Sequence, residues 1–476
     1  MPPYTPQPLS DEQRQQARQA AAEADAALHI TQRSEPWQHL AFKAPNAAHP
    51  ALHLDDASGI PFLQDIVGIE NYQLRAVTRA TDGDLIVGTC APMPDYLGYH
   101  AQTLGLGKAR YLHAPIDGSA IEVAKASQAP QVLDPLCQAA RDAGGLTIHP
   151  YMGIKPVWEL AKSVADTTHT PVQVLAPPPP VTWYANDKLL LHKLVHGLLG
   201  PRWLVDTHHA TTAAELAGHL RTLAAKHRRV ALKMTRCASA MGNRLWTADQ
   251  ILAMDDSSLL NAVQTFLKDK EWRTDDPVVA VSWEDATDSP SSQLWIPPKG
   301  QGQPRLDGLY EQLLEGEEGV FQGSLPSRLS QDVHQQMAFA SLMIAEVYQA
   351  LGYVGRCSFD FIVVDGQVKF VECNGRWGGT STPMSLVDRL YPDGRPPYRV
   401  RDVILPHLIG HSFQDVLDAL GDDAWRPNNP QGRFVLYNVG SIRDYGKLDV
   451  VAFGKDLDDA ELALEERFME RVEALR

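Results

Sequence analysis

Residues 354–380 read VGRCSFDFIVVDGQVKFVECNGRWGGT. Two β-rich runs, SFDFIVV and QVKFVEC, flank Asp365-Gly366, a dipeptide that favours the tight turn of a hairpin. Three polar residues interrupt these otherwise apolar strands: Asp360, Glu372 and Asn374. A buried carboxylate is costly unless it is paired or bound to a cation, so two on neighbouring strands require an explanation. Oxygen ligands from Asp, Glu and Asn suit Mg²⁺, which takes few protein ligands and completes its shell with water and phosphate. Glu372 and Asn374 are two apart and therefore share a face of their strand.

Whether Asp360 joins them depends on register. A two-residue loop of Asp365-Gly366 pairs Val364 with Gln367, and Asp360 then lies opposite Val371. A loop of odd length pairs Val364 with Val368 and sets Asp360 directly across from Glu372. The metal reading therefore requires an odd loop or a β-bulge. On the alternative, both carboxylates lie on a solvated face near Lys369.

Working outward, the hairpin follows a helix that starts near Ser330 and ends before Gly352. Val333, Met337, Ala340, Ile344, Val347 and Leu351 give it one apolar face. Upstream, from about Leu54 to Val174, short apolar strands alternate with helical stretches. DLIVGTCAP reads as a buried strand, residues 131–143 as a helix ending at Gly144-Gly145, and LTIHPY as a further strand. Such alternation predicts an α/β layer with parallel strands. The loop carrying Thr89, Pro92, Pro94 and Asp95 opens at the carboxyl edge of that layer, either as a ligand loop or as a simple connector. Pro177 to Pro180 reads as a stiff, extended spacer and marks a domain boundary.

At the start of the chain, Ser10 caps a helix with Asp11 and Glu12 in its first turn and Gln13 at the capping-box position. Its apolar stripe is thin, as for a surface helix docked on another element. Beyond Thr382 come Pro-rich turns, the apolar segment GRFVLYNVGSI and a charged final helix from about Asp458, without a readable motif.

The chain of 476 residues has room for about three domains. Apolar residues make up 44% and charged residues 21%, an ordinary globular balance. The formal charge of −15 disfavours nucleic acid and anionic membrane surfaces as partners. No apolar run is long enough to span a bilayer, and the first residues lack the pattern of a signal peptide. The five cysteines are scattered, without a CxxC pair, which predicts reduced thiols and a cytoplasmic location. HExxH and GxSxG are absent. GLGKAR at 105–110 is no P-loop, because Gln102 stands where its first glycine belongs and no Ser or Thr follows Lys108.

The D-F-I strand, the turn and E-C-N-G-R-W-G-G resemble the closing motif of the ATP-grasp superfamily. More narrowly, the chain resembles the peptide ligases with a pre-ATP-grasp domain, of the pheganomycin-forming type. The resemblance implies mixed α/β and α+β architecture: an N-terminal α/β pre-ATP-grasp domain, a two-lobed ATP-grasp fold and a C-terminal extension. The corresponding boundaries are a helical extension at 1–53, the pre-ATP-grasp domain at 54–176, the Pro linker at 177–180, the ATP-grasp unit at 181–385 and the extension at 386–476, the last a candidate substrate-binding region.

It further implies an ATP- and Mg²⁺-dependent ligase that joins a small-molecule or peptide carboxylate to an amine through an acylphosphate. Asp360, Glu372 and Asn374 would hold two Mg²⁺ ions. Lys188 and Lys233 would hold the α and β phosphates. An inward lysine such as Lys233, opposite the Val230, Leu232 and Met234 face of its strand, fits an anion there. Ser239 and Gly242 lie in the stretch that would close over the phosphates, though it is poor in glycine. Backbone at Val281, Ser282 and Trp283 would meet adenine, and Glu284 or Asp285 the ribose. Arg376 would stabilise the transferring group, with Arg356 a second candidate for anion contact. Two other readings stay open: a kinase-type enzyme that phosphorylates its substrate and stops, and a non-catalytic nucleotide-binding protein.

Overall fold

Three β-sheets organise the chain in the computed structural model, which describes residues 4–63, 66–116, 118–237, 241–273, 276–316, 319–429 and 431–476. The first sheet is wholly parallel. Its strands β1 (Ala51–Leu54), β2 (Leu85–Gly88), β3 (Arg110–His113), β4 (Leu146–Pro150) and β5 (Val172–Val174) lie in the order β3-β2-β1-β4-β5. Parallel strands need crossover connections, and these are supplied in part by the helices Pro130–Ala143 and Lys155–Thr168. Gly144, at φ 70°, ends the first of them in the left-handed conformation that glycine adopts without strain. The carboxyl ends of β1 and β4 deliver Asp55 and Tyr151 to the central cavity.

The second sheet is a small antiparallel one, β6 (Thr207–Ala210), β7 (Arg229–Met234), β8 (Asn243–Thr247) and β9 (Val278–Ser282), ordered β6-β9-β7-β8. The helices Ala213–Ala224 and Asp256–Asp269 cover one face through Leu216, Leu220, Leu259, Val263 and Phe266. Its other face, with Val279, Val281 and Lys233, turns to the cavity.

The third sheet has eight strands. They are β10 (Pro290–Ile296), β11 (Arg305–Glu315), β12 (Val320–Pro326), β13 (Gly355–Val364), β14 (Gln367–Asn374), β15 (Tyr398–Ile404), β16 (Phe434–Tyr437) and β17 (Lys447–Phe453), in the order β14-β13-β10-β11-β12-β15-β17-β16. The last three strands belong to the C-terminal section, so that section continues the sheet of the hairpin rather than hanging from it. Its core also reaches back to the first domain: Leu74, Tyr96 and Tyr99 pack with Val400, Phe413, Phe434 and Leu448.

The helix Gln331–Ala350 is capped by Ser330 as read from sequence. It is buried almost all round from Met337 onward, not along one stripe. The reason is the N-terminal helix Asp11–Leu28, started by the Ser10–Gln13 capping box, whose Ala17 and Ala21 lie in the same core on its far side. The Pro177–Pro180 run departs from the expected spacer. Pro178 is the N-cap of a helix, Pro179–Ala185, and Pro179 and Pro180 form its first turn. A proline costs nothing there, because the first N–H groups of a helix have no intrahelical partner. Among the described residues no helix is long and apolar enough to cross a membrane, and all five cysteines are free.

Candidate active site

The hairpin combines the tight turn with the bulge. Asp365 (φ 50°) and Gly366 (φ 74°) form a two-residue turn that pairs Val364 with Gln367. Pairing runs regularly to Phe361 and Phe370, and the next pair is Asp360 with Glu372, leaving Val371 as the extra residue. In unbroken register Glu372 would oppose Phe359, which is fully buried, and would be driven into the core. The bulge instead brings Asp360, Glu372 and Asn374 to the cavity side while Phe370 and Cys373 stay in the core.

Asp360 accepts from Asn374 Nδ2 at 2.8 Å and from Gln312 Nε2, on β11, at 3.0 Å. Burial and the facing Glu372 carboxylate push its pKa up to about 7, against the pull of Arg376 and these hydrogen bonds. Glu372 behaves oppositely. Burial would raise it, but Lys188, with Nζ 2.8 Å from its Oε2, holds it below the usual range. The neighbours thus divide the pair into one carboxylate that readily ionises and one that awaits a further cation.

Lys188 opens the helix Lys188–Leu199. The carboxylate of its N-cap Asp187 accepts from Leu189 and Leu190 N–H at 3.0 and 3.1 Å and from Arg236 Nε at 3.0 Å. Burial disfavours the Lys188 charge, yet Cys237 and Glu372 hold its pKa above the ordinary lysine value. Its Nζ also donates to the Cys237 carbonyl at 3.2 Å. Lys233, on β7, has no ion-pair partner among the described residues, its ammonium lying 4.9 Å from the Trp283 ring centre. Burial and the nearby Lys188 bring its pKa down to about 8. A buried cation in that state is prepared for an anionic ligand.

The arginines divide. Arg376 donates to Asn374 Oδ1 at 2.7 Å and to the Trp377 carbonyl at 2.8 Å, stacks 5.5 Å from the Tyr151 ring centre and lines the cavity. Arg356 stands apart. It is ion-paired with Asp307, lies between the rings of Trp295 and Trp377, and does not line the cavity, so its charge is already committed. Trp377 is clamped from its other neighbour by Arg79, 4.7 Å from its ring. Gly375 is needed for close approach, since a Cβ there would come within 2.7 Å of Asn186 Nδ2.

Val281, Ser282, Trp283 and Glu284 line the cavity. The N–H groups of Ser282 and Trp283 already donate to Asp206 and Arg229 carbonyls at 2.8 and 2.9 Å. Ser282 Oγ donates to Glu284 Oε1 at 2.7 Å. Asp285 is not on the cavity; it pairs with Arg229 at 2.5 Å and Arg228 at 3.4 Å. Gly242 lies behind the wall, with space for a side chain denied by Cys237 Sγ at 2.5 Å. Ser239 lies outside the described residues.

These groups surround a cavity of about 650 Å³, walled by all three sheets. Among the described residues no set of three or more His, Cys, Asp or Glu forms a metal cage. A cation held by Asp360, Glu372 and Asn374 would therefore draw its remaining ligands from phosphate and water, as Mg²⁺ commonly does. Sequence reading missed Gln312 and Cys237. Gln312 is an ordinary polar residue in a long strand, and Cys237 meets Lys188 Nζ through both its carbonyl and its thiol, a pairing no sequence spacing announces.

Residues 73–165 match the family model of the pre ATP-grasp domain. No curated protein matches the sequence. Among solved structures the fold is similar to N5-carboxyaminoimidazole synthetase from Staphylococcus aureus, at 13% identity over 90% of this chain and 99% of that one, with TM-score 0.51. The corresponding ribonucleotide synthetase from Thermus thermophilus matches at 15% identity over 85% and 96%, also with TM-score 0.51. The biotin carboxylase domain of the Hydrogenobacter thermophilus 2-oxoglutarate carboxylase, solved with MgADP, ADP and bicarbonate, matches at 10% identity over 84% and 87%, TM-score 0.51. The chain therefore has a pre-ATP-grasp domain followed by an ATP-grasp fold.

Proposed function

We propose that this chain is an ATP- and Mg²⁺-dependent ligase that joins a carboxylate to an amine. The observation that carries the reading is the bulge that sets Asp360 across from Glu372, within reach of Lys188. The donor set fits the cofactors: three hard oxygen donors on adjoining strands, one carboxylate short of a cation, and the Lys233 ammonium, without an ion-pair partner among the described residues. Asp360, Glu372 and Asn374 would hold Mg²⁺, as two ions in the arrangement that the resemblance implies. Lys188 and Lys233 would contact phosphates, and Glu284 the ribose. With the Ser282 and Trp283 N–H groups engaged, adenine contact falls to the apolar walls Val279, Val281 and Trp283 and the backbone beyond.

When bound, MgATP supplies the phosphoryl group that turns a poor leaving group into a good one. A substrate carboxylate oxygen bonds to the γ-phosphorus as the bond to ADP breaks. The amine nitrogen then bonds to the acyl carbon, phosphate departs and the nitrogen loses a proton. The residues of this chain position and neutralise rather than react. Arg376 stands beside Asn374, where charge would develop on the transferring group. Formation of a peptide bond is the version that the narrower resemblance to the pheganomycin-forming ligases implies.

An ADP-release screen of amino acids and short peptides, taken in pairs and followed by mass spectrometry, tests this. ADP released only with both partners, with an amide product, is expected. ADP with one partner and a stable phosphorylated product would mark a kinase instead. MgATP binding without ADP release from any pair would leave a nucleotide-binding role.

A further inference from the structure

The large sheet repeats the opposed-carboxylate arrangement far from the hairpin. Asp402 on β15 and Asp449 on β17 are direct register partners, and both line the central cavity. Each uses one oxygen. Asp402 Oδ2 is 3.1 Å from Lys447 Nζ, while Asp449 Oδ2 accepts from Asn438 Nδ2 at 3.1 Å and Arg75 at 3.3 Å. Oδ1 of both is buried and has no hydrogen-bond partner among the described residues. Buried carboxylate oxygens are rarely left so, and two side by side ask for a donor. Arg75 and Lys447 are the two cations set against the pair. Both cations are also drawn to the Tyr72 ring, at 4.0 and 5.3 Å. Burial and the facing Asp449 push Asp402 up to about 7, against the pull of Lys447 and Arg75.

The rim beside this cluster is apolar. Val400, Asp402 and Ile404 alternate onto the cavity face of β15. Ile404 is 52% exposed, and Val67, Leu314 and Val320, on the same cavity, are 43%, 42% and 42% exposed. Exposed apolar side chains gathered at one opening mark a surface that receives an apolar ligand. A divalent metal suits the cluster poorly, since Lys447 and Arg75 already sit against both carboxylates. A nitrogen group with directed N–H donors, which need only bond the two open Oδ1 atoms and requires no coordination shell, suits it better.

We propose that this end of the cavity is the subsite for one of the two joined substrates, and that this substrate is amphipathic. Its cationic nitrogen, an ammonium or guanidinium, is received by Asp402 and Asp449, and its apolar body lies along Ile404, Leu314, Val320 and Val67. The assignment to a substrate rests on the ligase reading; the binding chemistry does not.

The test is calorimetric titration of the full chain with hexylammonium and with 1-hexanol, a neutral probe of the same length. Hexylammonium should bind about tenfold more tightly or better, as a charge-assisted hydrogen bond is worth. That advantage should vanish in Asp402→Asn and Asp449→Asn. Ile404→Ser, at an exposed position, should weaken both probes alike, and it decides the matter with the wild type should the aspartate variants not fold. Equal binding of the two probes, or an advantage that survives both aspartate substitutions, would overturn the proposal. MgADP binding, titrated on the same samples, should be unchanged in the variants. Its absence from the wild type would count against the ligase reading while leaving the probe result to stand or fall alone.

Discussion

Glu372 meets two demands at once: it is placed to hold a cation and it compensates Lys188, whose side chain is 9% exposed. Replacing it therefore does two things, and the choice of substitution separates them. Glu372→Ala leaves Lys188 uncompensated beside Lys233, a change worth about 3–5 kcal/mol of stability for a buried pair. Glu372→Gln keeps shape and hydrogen bonding, so ADP-forming turnover should fall at least about a hundredfold while the melting temperature drops far less. Adding Lys188→Met to Glu372→Gln should restore stability, measured by denaturant unfolding, without restoring turnover. Recovery of activity in that double variant would remove Glu372 from the proposed role.

Lys233 gives the pH dependence. Its folded-state pKa of about 8 lies below the ordinary 10.5, so between those values the unfolded chain holds the extra proton and stability rises with pH. A bound phosphate reverses the shift. Nucleotide binding at pH 8 to 9 should then take up protons, seen as a buffer-dependent heat, and affinity should fall as pH rises through about 8. Binding that releases protons there would place the phosphates away from Lys233. Lys188 and Lys233 were legible in sequence through their order along the chain, which the family resemblance supplies, whereas Glu372 was legible as a charge interrupting an apolar strand. Asp449 in KLDVVAF carries that same mark, but Arg399, Arg401 and Lys447 nearby make its strands look solvated. Arg356 was misleading for another reason: its partner Asp307 lies on a strand that sequence spacing does not connect to it.

At the scale of the element, turn and bulge have separate tasks. Asp-Gly sets the turn, as its sequence signal says, and Val371 restores the register that the turn alone would ruin. Requiring the two carboxylates to meet was enough to predict an odd loop or a bulge; only the strand pairing itself chooses between them. Gly366→Ala places a Cβ at φ 74°, in open space, so only the backbone conformation opposes it. It should cost about 1–2 kcal/mol of stability. MgADP affinity should be unchanged within error, because the bulge and not the turn sets the face that Asp360 occupies. A large loss of affinity at full stability would show that the register depends on the turn. The proline run illustrates the opposite limit of sequence reading. Four prolines are compatible with an extended spacer or with a helix entry, and only the packing of Pro179–Ala185 decides.

Over the whole molecule, the cavity is walled by three sheets, and the eight-stranded one runs from the hairpin through β12 into β15, β17 and β16. The C-terminal section had no motif because its contribution is spread over apolar side chains that meet partners more than three hundred residues away, such as Leu74, Tyr96 and Tyr99. A chain ending at Ser385 would lose the strand that covers the edge of β12 and would strip that shared core from the first domain. Unpaired edges and exposed core of this kind lead to aggregation. The truncated chain should therefore be recovered insoluble, whereas the full chain should unfold in one calorimetric transition that includes the C-terminal strands. MgADP at a hundredfold excess over its dissociation constant should raise that single transition by about 2.7 kcal/mol of stability. Because β15 and β17 belong to the same cooperative unit, their amides should gain hydrogen-exchange protection on MgADP binding together with those of β13 and β14. A soluble, MgADP-binding truncated chain, or C-terminal amides indifferent to nucleotide, would show that the two ends of the sheet are independent.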